Sequence, residues 1–340
     1  MKNVKKIIAV AIVAMLTVAL SGCTFIQKTQ AGINNTELAS VNGEKITRAE
    51  LASRMKSTEN QYIQNYGANY ATNAQVKTQY DAKRTQMLTG METEKLLLQK
   101  AKTLNLVPTD AIINAEVKKE YDAMRANEQY KKDSDWKTAL SQSGYTDATL
   151  KAQMRNSVIT KKVTDYMTKN VKVTDKQITD YYNKNPLLYT EKPNTIHLAH
   201  ILVATKAAAD SISAQLTKGG DFAALAKQNS TDTGSKDAGG DLGDHEQANT
   251  DQNNALDATF MAAALKLKAG EISAPVQTQY GFHIIKCVSR IEYPVKKLAD
   301  VKTTVNATVL DAAKQTQYEK TLAKWKSEAK ITEDATEIAK

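Results

Sequence analysis

Between residues 47 and 185 no run alternates apolar and polar side chains strongly, and few glycines or prolines interrupt the chain. A stretch of that kind cannot supply a sheet. It folds as a series of helices that bury their apolar stripes on one another. Breaks are expected near Leu106-Val-Pro108 and near Ser143-Gly144. Helix starts follow a recurring local pattern. Thr47 precedes Glu50 by three residues, a capping box, with Ile46 and Leu51 at the staple positions. Thr174 and Gln177 repeat the box, flanked by Val173 and Ile178, and Pro108-Thr109-Asp110 starts another helix in similar style. Residues 39–46 read as a short strand that turns at Asn42-Gly43. The helical region is rich in Tyr, Gln and Asn. Tyr62, Tyr66 and Tyr70 fall at i, i+4 and i+8, which predicts one helix face. Such a face serves either as an inter-helix stripe or as a surface for unfolded polypeptide.

Pro193 marks a change of texture. Residues 195–203 read as a strand, 205–218 as a helix stopped by Gly219-Gly220, and 222–228 as a helix capped by Asp221. A polar, glycine-rich loop is predicted over 230–251, a third helix over 256–268, and strands over 275–278 and 282–290. Beyond Tyr293-Pro294 the pattern is helical to the end. Leu298, Val301 and Val305 lie at i, i+3 and i+7, as do Leu322, Trp325 and Ala329. A lone C-terminal helix must bury that stripe, and the N-terminal helical region is the expected surface.

The chain begins with Lys2, Lys5 and Lys6 and no acid, followed by an apolar run over 7–20. That run is short for a membrane span, which needs ~20 residues, and it fits the core of a signal peptide. It ends in Leu20-Ser21-Gly22-Cys23, which resembles the lipobox of bacterial lipoproteins. The resemblance implies removal of residues 1–22, a lipid anchor on Cys23 and a mature chain on the extracytoplasmic face of the cell membrane. Two or three acyl chains anchor a protein stably where one would not. Loss of the leader's three lysines lowers the net charge from +9 to +6. The remaining cations are scattered, so a nucleic-acid partner is not expected. With Cys23 lipidated, Cys287 is alone and reads as a buried strand residue. No cofactor or metal site is expected: His197 and His200 point to opposite faces of a strand, and too few thiols or clustered carboxylates accompany them. Nor is there a phosphate-binding loop or a Gly-x-Ser-x-Gly elbow. A solute-binding protein would show a βα texture that the chain lacks.

Residues 195–291 resemble a parvulin-type peptidyl-prolyl isomerase domain. The resemblance rests on His200-Ile-Leu-Val203, Asp221-Phe-Ala-Ala-Leu-Ala226, Ser230-Thr-Asp232, Gly239-Gly-Asp-Leu-Gly243, Gly270-Glu-Ile-Ser273, Pro275-Val276 and Tyr280-Gly-Phe-His-Ile-Ile285, in order and at family spacing. It implies an α+β fold: a parvulin-like domain inserted between N- and C-terminal helical segments that pack as one mainly helical chaperone domain. The segments are a signal peptide (1–22), a lipidated tether (23–36), a helical segment (37–193), the isomerase domain (195–291) and a C-terminal helical segment (293–340). By the same resemblance the histidine pair is His200 and His283, the acidic position is Asp232, and the pocket threonine is Thr278. Leu256 and Phe260 cradle the proline ring. Asp241 reads as a loop-fixing residue. Relatives usually follow the Gly-Gly-Asp-Leu-Gly run with an aromatic pair, where this chain has Asp244 and His245. The implied function is that of an anchored foldase: it assists secreted, proline-containing polypeptides in folding and isomerises their prolyl bonds. The Asp244–His245 departure favours an alternative, an anchored chaperone with a weak or inactive isomerase. A homodimer is left open.

Overall fold

The computed structural model describes residues 29–248 and 256–338. The signal peptide, Cys23 and the first part of the tether lie outside the described residues, as does the end of the 230–251 loop. The elements in chain order are α1 (Gln30–Asn34), β1 (Glu37–Val41), β2 (Glu44–Thr47), α2 (Arg48–Tyr66), α3 (Ala74–Thr103), α4 (Asp110–Arg125), α5 (Asp133–Gln142), α6 (Asp147–Thr168) and α7 (Asp175–Lys184). They continue with β3 (Thr195–Val203), α8 (Lys206–Thr217), α9 (Phe222–Asn229), β4 (Asp241–Glu246), α10 (Ala258–Ala264), β5 (Val276–Thr278) and β6 (Gly281–Ile291). The chain closes with α11 (Leu298–Glu328), β7 (Ile331–Glu333) and α12 (Ala335–Ile338).

Two compact units form. One comprises Met1–Tyr166 with Thr321–Lys340, the other Met167–Lys320. The boundaries fall inside α6 and α11, whereas the change of sequence texture falls at Pro193. Packing explains the difference. In the second unit, Ile178, Tyr189 and Val305 are buried together, with Leu298 and Val301 against them. The first turns of α11 therefore bury their stripe on α7 and the turn after it. The last turns belong to the first unit, where Lys100 Nζ lies 5.2 Å from the Trp325 ring centroid.

In the first unit the β1–β2 hairpin turns at Asn42-Gly43 with φ of 51° and 86°. Positive φ at both positions defines the turn that matches strand twist, and the Asn-Gly pair accommodates it. Thr47 caps α2 through the full capping box with Glu50. Leu38, Ile46, Leu51, Met55 and Leu88 form the core between hairpin, α2 and α3. Two local readings are corrected here. The C-terminus is not helical to the end: β7 pairs antiparallel with β1, giving the order β2-β1-β7. A three-residue strand carries no period of its own, and the free edge of β1 selects it. Residues 30–34 of the tether are likewise helical.

The tyrosines do not lie on one helix either. Helix α2 stops at Tyr66, with Gly67 at φ 81°. Tyr70 returns on a 3-10 turn and meets Tyr62 edge-on at 5.7 Å, while Tyr80 of α3 meets Tyr62 edge-on at 5.2 Å.

The second unit is built on an antiparallel sheet of order β4-β3-β6-β5. Strict alternation along β3 and β6 gives it two apolar faces. Ile201, Val203 and Ile284 pack under α8 and α9, with Ile212, Phe222 and Leu225. Ile196, Leu198, Ile285 and Cys287 pack under α10, with Phe260 and Met261. Strand β4 occupies part of the predicted loop. Its Asp-Leu-Gly-Asp-His-Glu composition has little strand character, and pairing to the open edge of β3 imposes the conformation. Helix α10 starts two residues later than predicted because Asp257 caps it, its Oδ1 accepting from the backbone N–H of Thr259 and Phe260, and it ends at Ala264, four residues early.

Candidate active site

His200 and His283 stand on the face of the sheet that carries α10. In the β3–β6 register His200 lies opposite Ile285, and His283 opposite Leu202. The histidines are thus diagonal neighbours on one face, a separation at which cross-strand side chains touch. Their rings stack at 5.3 Å and an interplanar angle of 26°. Nδ1 of His200 is 3.1 Å from Nδ1 of His283. Both are buried, at 7% and 5% exposed.

Asp232 is delivered by the segment after α9. The Thr231 N–H donates to Leu202 O at 2.8 Å, and Ser230 Oγ accepts from the N–H of Leu202 and of Asp232. So anchored, Asp232 Oδ2 lies 2.8 Å from His200 Nε2 and accepts from Ser235 Oγ at 2.5 Å. Oδ1 accepts from Gly234 N–H at 3.1 Å. Burial acts to raise the Asp232 carboxyl, but the hydrogen bonds from Ser235, His200 and Gly234 outweigh it and hold the group down at about 2. At the other end, Thr278 closes β5, two residues beyond the register partner of His283. Its Oγ1 is 2.8 Å from His283 Nε2 and accepts from the Tyr280 N–H at 3.1 Å. Burial, then the neighbouring His200, depress His283 to about 4.

With both imidazoles neutral, one arrangement of protons pairs every donor in this chain. Ionised Asp232 only accepts, so His200 carries its proton on Nε2. With both rings neutral, His200 accepts at Nδ1 and His283 donates from its own Nδ1. Neutral His283 accepts at Nε2, and the Thr278 hydroxyl donates to it. The Thr278 oxygen remains an acceptor for Tyr280 N–H. Donors therefore run one way, from Thr278 through both imidazoles to Asp232, and none is left unpaired.

Phe260 projects from α10 against both histidines. Its ring centroid is 5.8 Å from His200 and 5.2 Å from His283, edge-on at 77° and 81°. Leu256 is half-buried and packs on the same cluster. Thus His200, His283, Asp232, Thr278, Phe260 and Leu256 converge on one face. Two participants received no role in the sequence reading: Ser235, 4% exposed, and Ser230, 2% exposed, which stood there only as part of the Ser230-Thr-Asp232 motif. The Asp-x-x-Ser spacing of 232 and 235 was the local signal for Ser235.

His197 points away from this face and bridges two carboxylates, with Nδ1 2.8 Å from Asp244 Oδ1 and Nε2 3.0 Å from Asp241 Oδ1. Asp241 also accepts from Gly243 N–H at 2.8 Å, and His245 Nε2 lies 3.1 Å from Leu242 O. Polar contacts thus hold β4 in place. Burial alone would depress His197, but the two carboxylates raise it above 6.5.

Comparison with known proteins places this geometry. The chain matches the PPIC-type PPIASE domain family over residues 197–289 and the SurA-like N-terminal domain family over residues 1–164. It is 40% identical to the foldase protein PrsA of Clostridium acetobutylicum over 332 residues, 97% of this chain and 98% of that protein. It is 39% identical to PrsA of Clostridium kluyveri over 344 residues, 99% of this chain and 100% of that one. Among solved structures, PrsA from Bacillus anthracis aligns at 28% identity over 73% of this chain and 100% of that chain, with a TM-score of 0.41. A match at this identity over nearly the whole length, with a PPIC-type domain around the paired histidines, shows that the chain belongs to the PrsA foldase family and is a peptidyl-prolyl cis-trans isomerase.

Proposed function

We propose that the protein is a lipid-anchored foldase on the extracytoplasmic face of the cell membrane, where it isomerises prolyl bonds in secreted polypeptides as they fold. The reading of the anchor rests on Leu20-Ser21-Gly22-Cys23 after a short apolar run. The observation that carries the chemistry is the one-way hydrogen-bond chain Thr278–His283–His200–Asp232 laid against Phe260.

The barrier to prolyl rotation is ~18–20 kcal/mol and comes from amide resonance. No bond need break, so the site has only to bind the twisted amide better than the planar one. Phe260 and Leu256 supply an apolar wall for the pyrrolidine ring and exclude water. The buried polar chain beside them supplies a pre-oriented field for the rotated carbonyl. His200 and His283 act as mutually oriented supports, not as nucleophiles. Asp232 holds the orientation of the chain from one end and Thr278 from the other. The mainly helical unit is read as the surface that retains the client between isomerisation events.

The test is cis/trans exchange of a prolyl tetrapeptide with residues 23–340 and with His200→Ala. Acceleration that His200→Ala abolishes is expected. A rate equal to the uncatalysed one, tens to hundreds of seconds, would overturn the proposed roles. The anchor is read by feeding cells labelled palmitate: incorporation that Cys23→Ala abolishes is expected, and a parent chain that takes up no label refutes the anchor.

A further inference from the structure

One stretch of the first unit stands apart in composition. Residues 60–76 contain no charged side chain, in a protein of which 24% is Asp, Glu, Lys or Arg, and ten of these seventeen residues are Tyr, Asn or Gln. The first part of the stretch lies at the end of α2, clasped to the turn between α5 and α6. Asn60 Nδ2 donates to Gln142 O at 2.8 Å, and Ser53 Oγ donates to Gly144 O at 2.7 Å. Gly144 has φ of +77°, and a Cβ there would come within 2.2 Å of Ser53 O. Only glycine lets the turn sit this close, and the closeness makes the turn a fixed partition.

Two cavities flank this turn: Gln142 and Ser143 line one, Ser141 and Gly144 the other. One, of about 680 Å³, is lined by Ser57, Asn60, Gln61, Gln64, Gln142 and Ile63, and has no charged residue in its lining. The side-chain amides of Gln61, Gln64 and Gln142 have no hydrogen-bond partner among the described residues. The other, of about 710 Å³, has Trp136, Leu140, Tyr121 and Tyr145 in its lining. Its aromatic floor is pre-formed. Asp147 Oδ1 accepts from Tyr121 Oη at 2.5 Å and from Trp136 Nε1 at 3.2 Å, and the two rings meet edge-on at 5.6 Å. The cations at that rim are partly committed already: Arg125 donates to Asp133 and lies over the Trp136 ring.

A carboxamide both donates and accepts, so a row of them pairs with a polypeptide backbone whatever its sequence. An uncharged lining neither selects nor repels a client by its net charge. The neighbouring cavity is roomy enough for a large side chain with part of its backbone, and its aromatic rings offer that side chain an apolar surface. We propose that this pair of cavities docks an extended, unfolded polypeptide. Its backbone lies across the amides of Asn60, Gln61, Gln64 and Gln142, and one large apolar side chain enters the neighbouring cavity against the part-exposed rings of Tyr121 and Tyr145. The inference rests on the retention of clients by the helical unit proposed above, and names the place and chemistry of that retention.

The experiment uses the full mature chain and a fluorescent, proline-free twelve-residue peptide of Ser, Gly and Asn with one central Phe. The isomerase site has no prolyl bond to engage in this probe. Binding is expected to weaken at least tenfold in Gln61→Glu/Gln64→Glu, exposed positions where a fold defect is not at issue. It should also weaken in Tyr145→Ala and when the peptide's Phe is replaced by Ala, while the control Gln228→Glu binds as the parent does. A carboxymethylated, permanently unfolded protein is measured alongside. If the parent binds this protein but Gln61→Glu/Gln64→Glu binds the peptide within twofold of the parent, the groove is wrong and client retention stands. If the parent binds neither probe, both fall.

Discussion

Replacing Asp232 by asparagine keeps the outline of the side chain and removes its charge. Three donors converge on that carboxylate, from Ser235, His200 and Gly234. Asparagine has one acceptor oxygen and one amino group to set against them, so one donor must face another donor or turn around. If the amino group faces His200, Nε2 of that ring becomes an acceptor and its proton moves to Nδ1. His283 must then accept at Nδ1 and carry its proton on Nε2, facing Thr278 Oγ1. That oxygen already takes the Tyr280 N–H. One substitution at the end of the chain thus reverses both imidazoles.

The magnitude follows from the carboxyl group, which its hydrogen bonds hold down at about 2 against its ordinary 3.8. That difference is worth roughly 2.5 kcal/mol of folding stability. The folded state holds the ionised form more tightly, so this stability is present above about 4 and is lost as pH falls through about 2. Urea unfolding at neutral pH should show Asp232→Asn destabilised by that amount, without the parent's acid slope. Loss of a hydrogen bond to a charged group, about 1.5–3 kcal/mol if expressed in the transition state, lowers kcat/KM by ~10–100-fold. Nitrogen-15 spectra of the histidine rings read the tautomers directly. Unchanged tautomers with unchanged stability would refute the reasoning.

Glu92 of α3 is 4% exposed with Oε1 unpartnered, and burial, then the charge of Glu333 on β7, raise it from 4.5 to about 7. The folded chain binds this proton more tightly, so stability falls by roughly 3 kcal/mol as pH rises between those values. Glu92→Gln should abolish that slope in urea titrations across the range, and an unaltered slope would exclude the pair as its source. His197 is raised above 6.5 by Asp244 and Asp241, so its contribution is present below that value and is lost as pH rises through the folded pKa. The urea midpoint should drop on the alkaline side in the parent and not in His197→Asn. Gly240 has φ of +85°, and an added Cβ would lie 2.2 Å from His200 O. Gly240→Ala should cost roughly 3 kcal/mol or more and lower isomerase activity, since Gly240 O accepts the His200 N–H at 2.8 Å; thermal unfolding and the tetrapeptide assay check both.

Local chemistry made much of this protein legible from its residues. The capping boxes at Thr47 and Thr174, the Asn42-Gly43 turn and the bounds of β3 depend on neighbours a few residues apart, and each formed where the pattern placed it. The same rules misplaced Tyr70, because a glycine at positive φ ended α2 before it. They missed β4 and β7, because those strands are specified by the open edges of β3 and β1 and not by their own composition.

The site divides along the same line. Sequence by itself determined which side chains line each strand face, how the helices begin, and, through motif order, which residues belong to the isomerase domain. Only the tertiary structure decided that His200 and His283, 83 residues apart, meet diagonally across β3 and β6. It alone set Ser235 on Asp232, bent the tyrosines into a cluster and divided α11 between two units. Periodicity and capping are properties of a few consecutive residues. Register, edge pairing and the direction of a buried hydrogen-bond chain arise only when distant segments desolvate one another and every buried donor must find an acceptor.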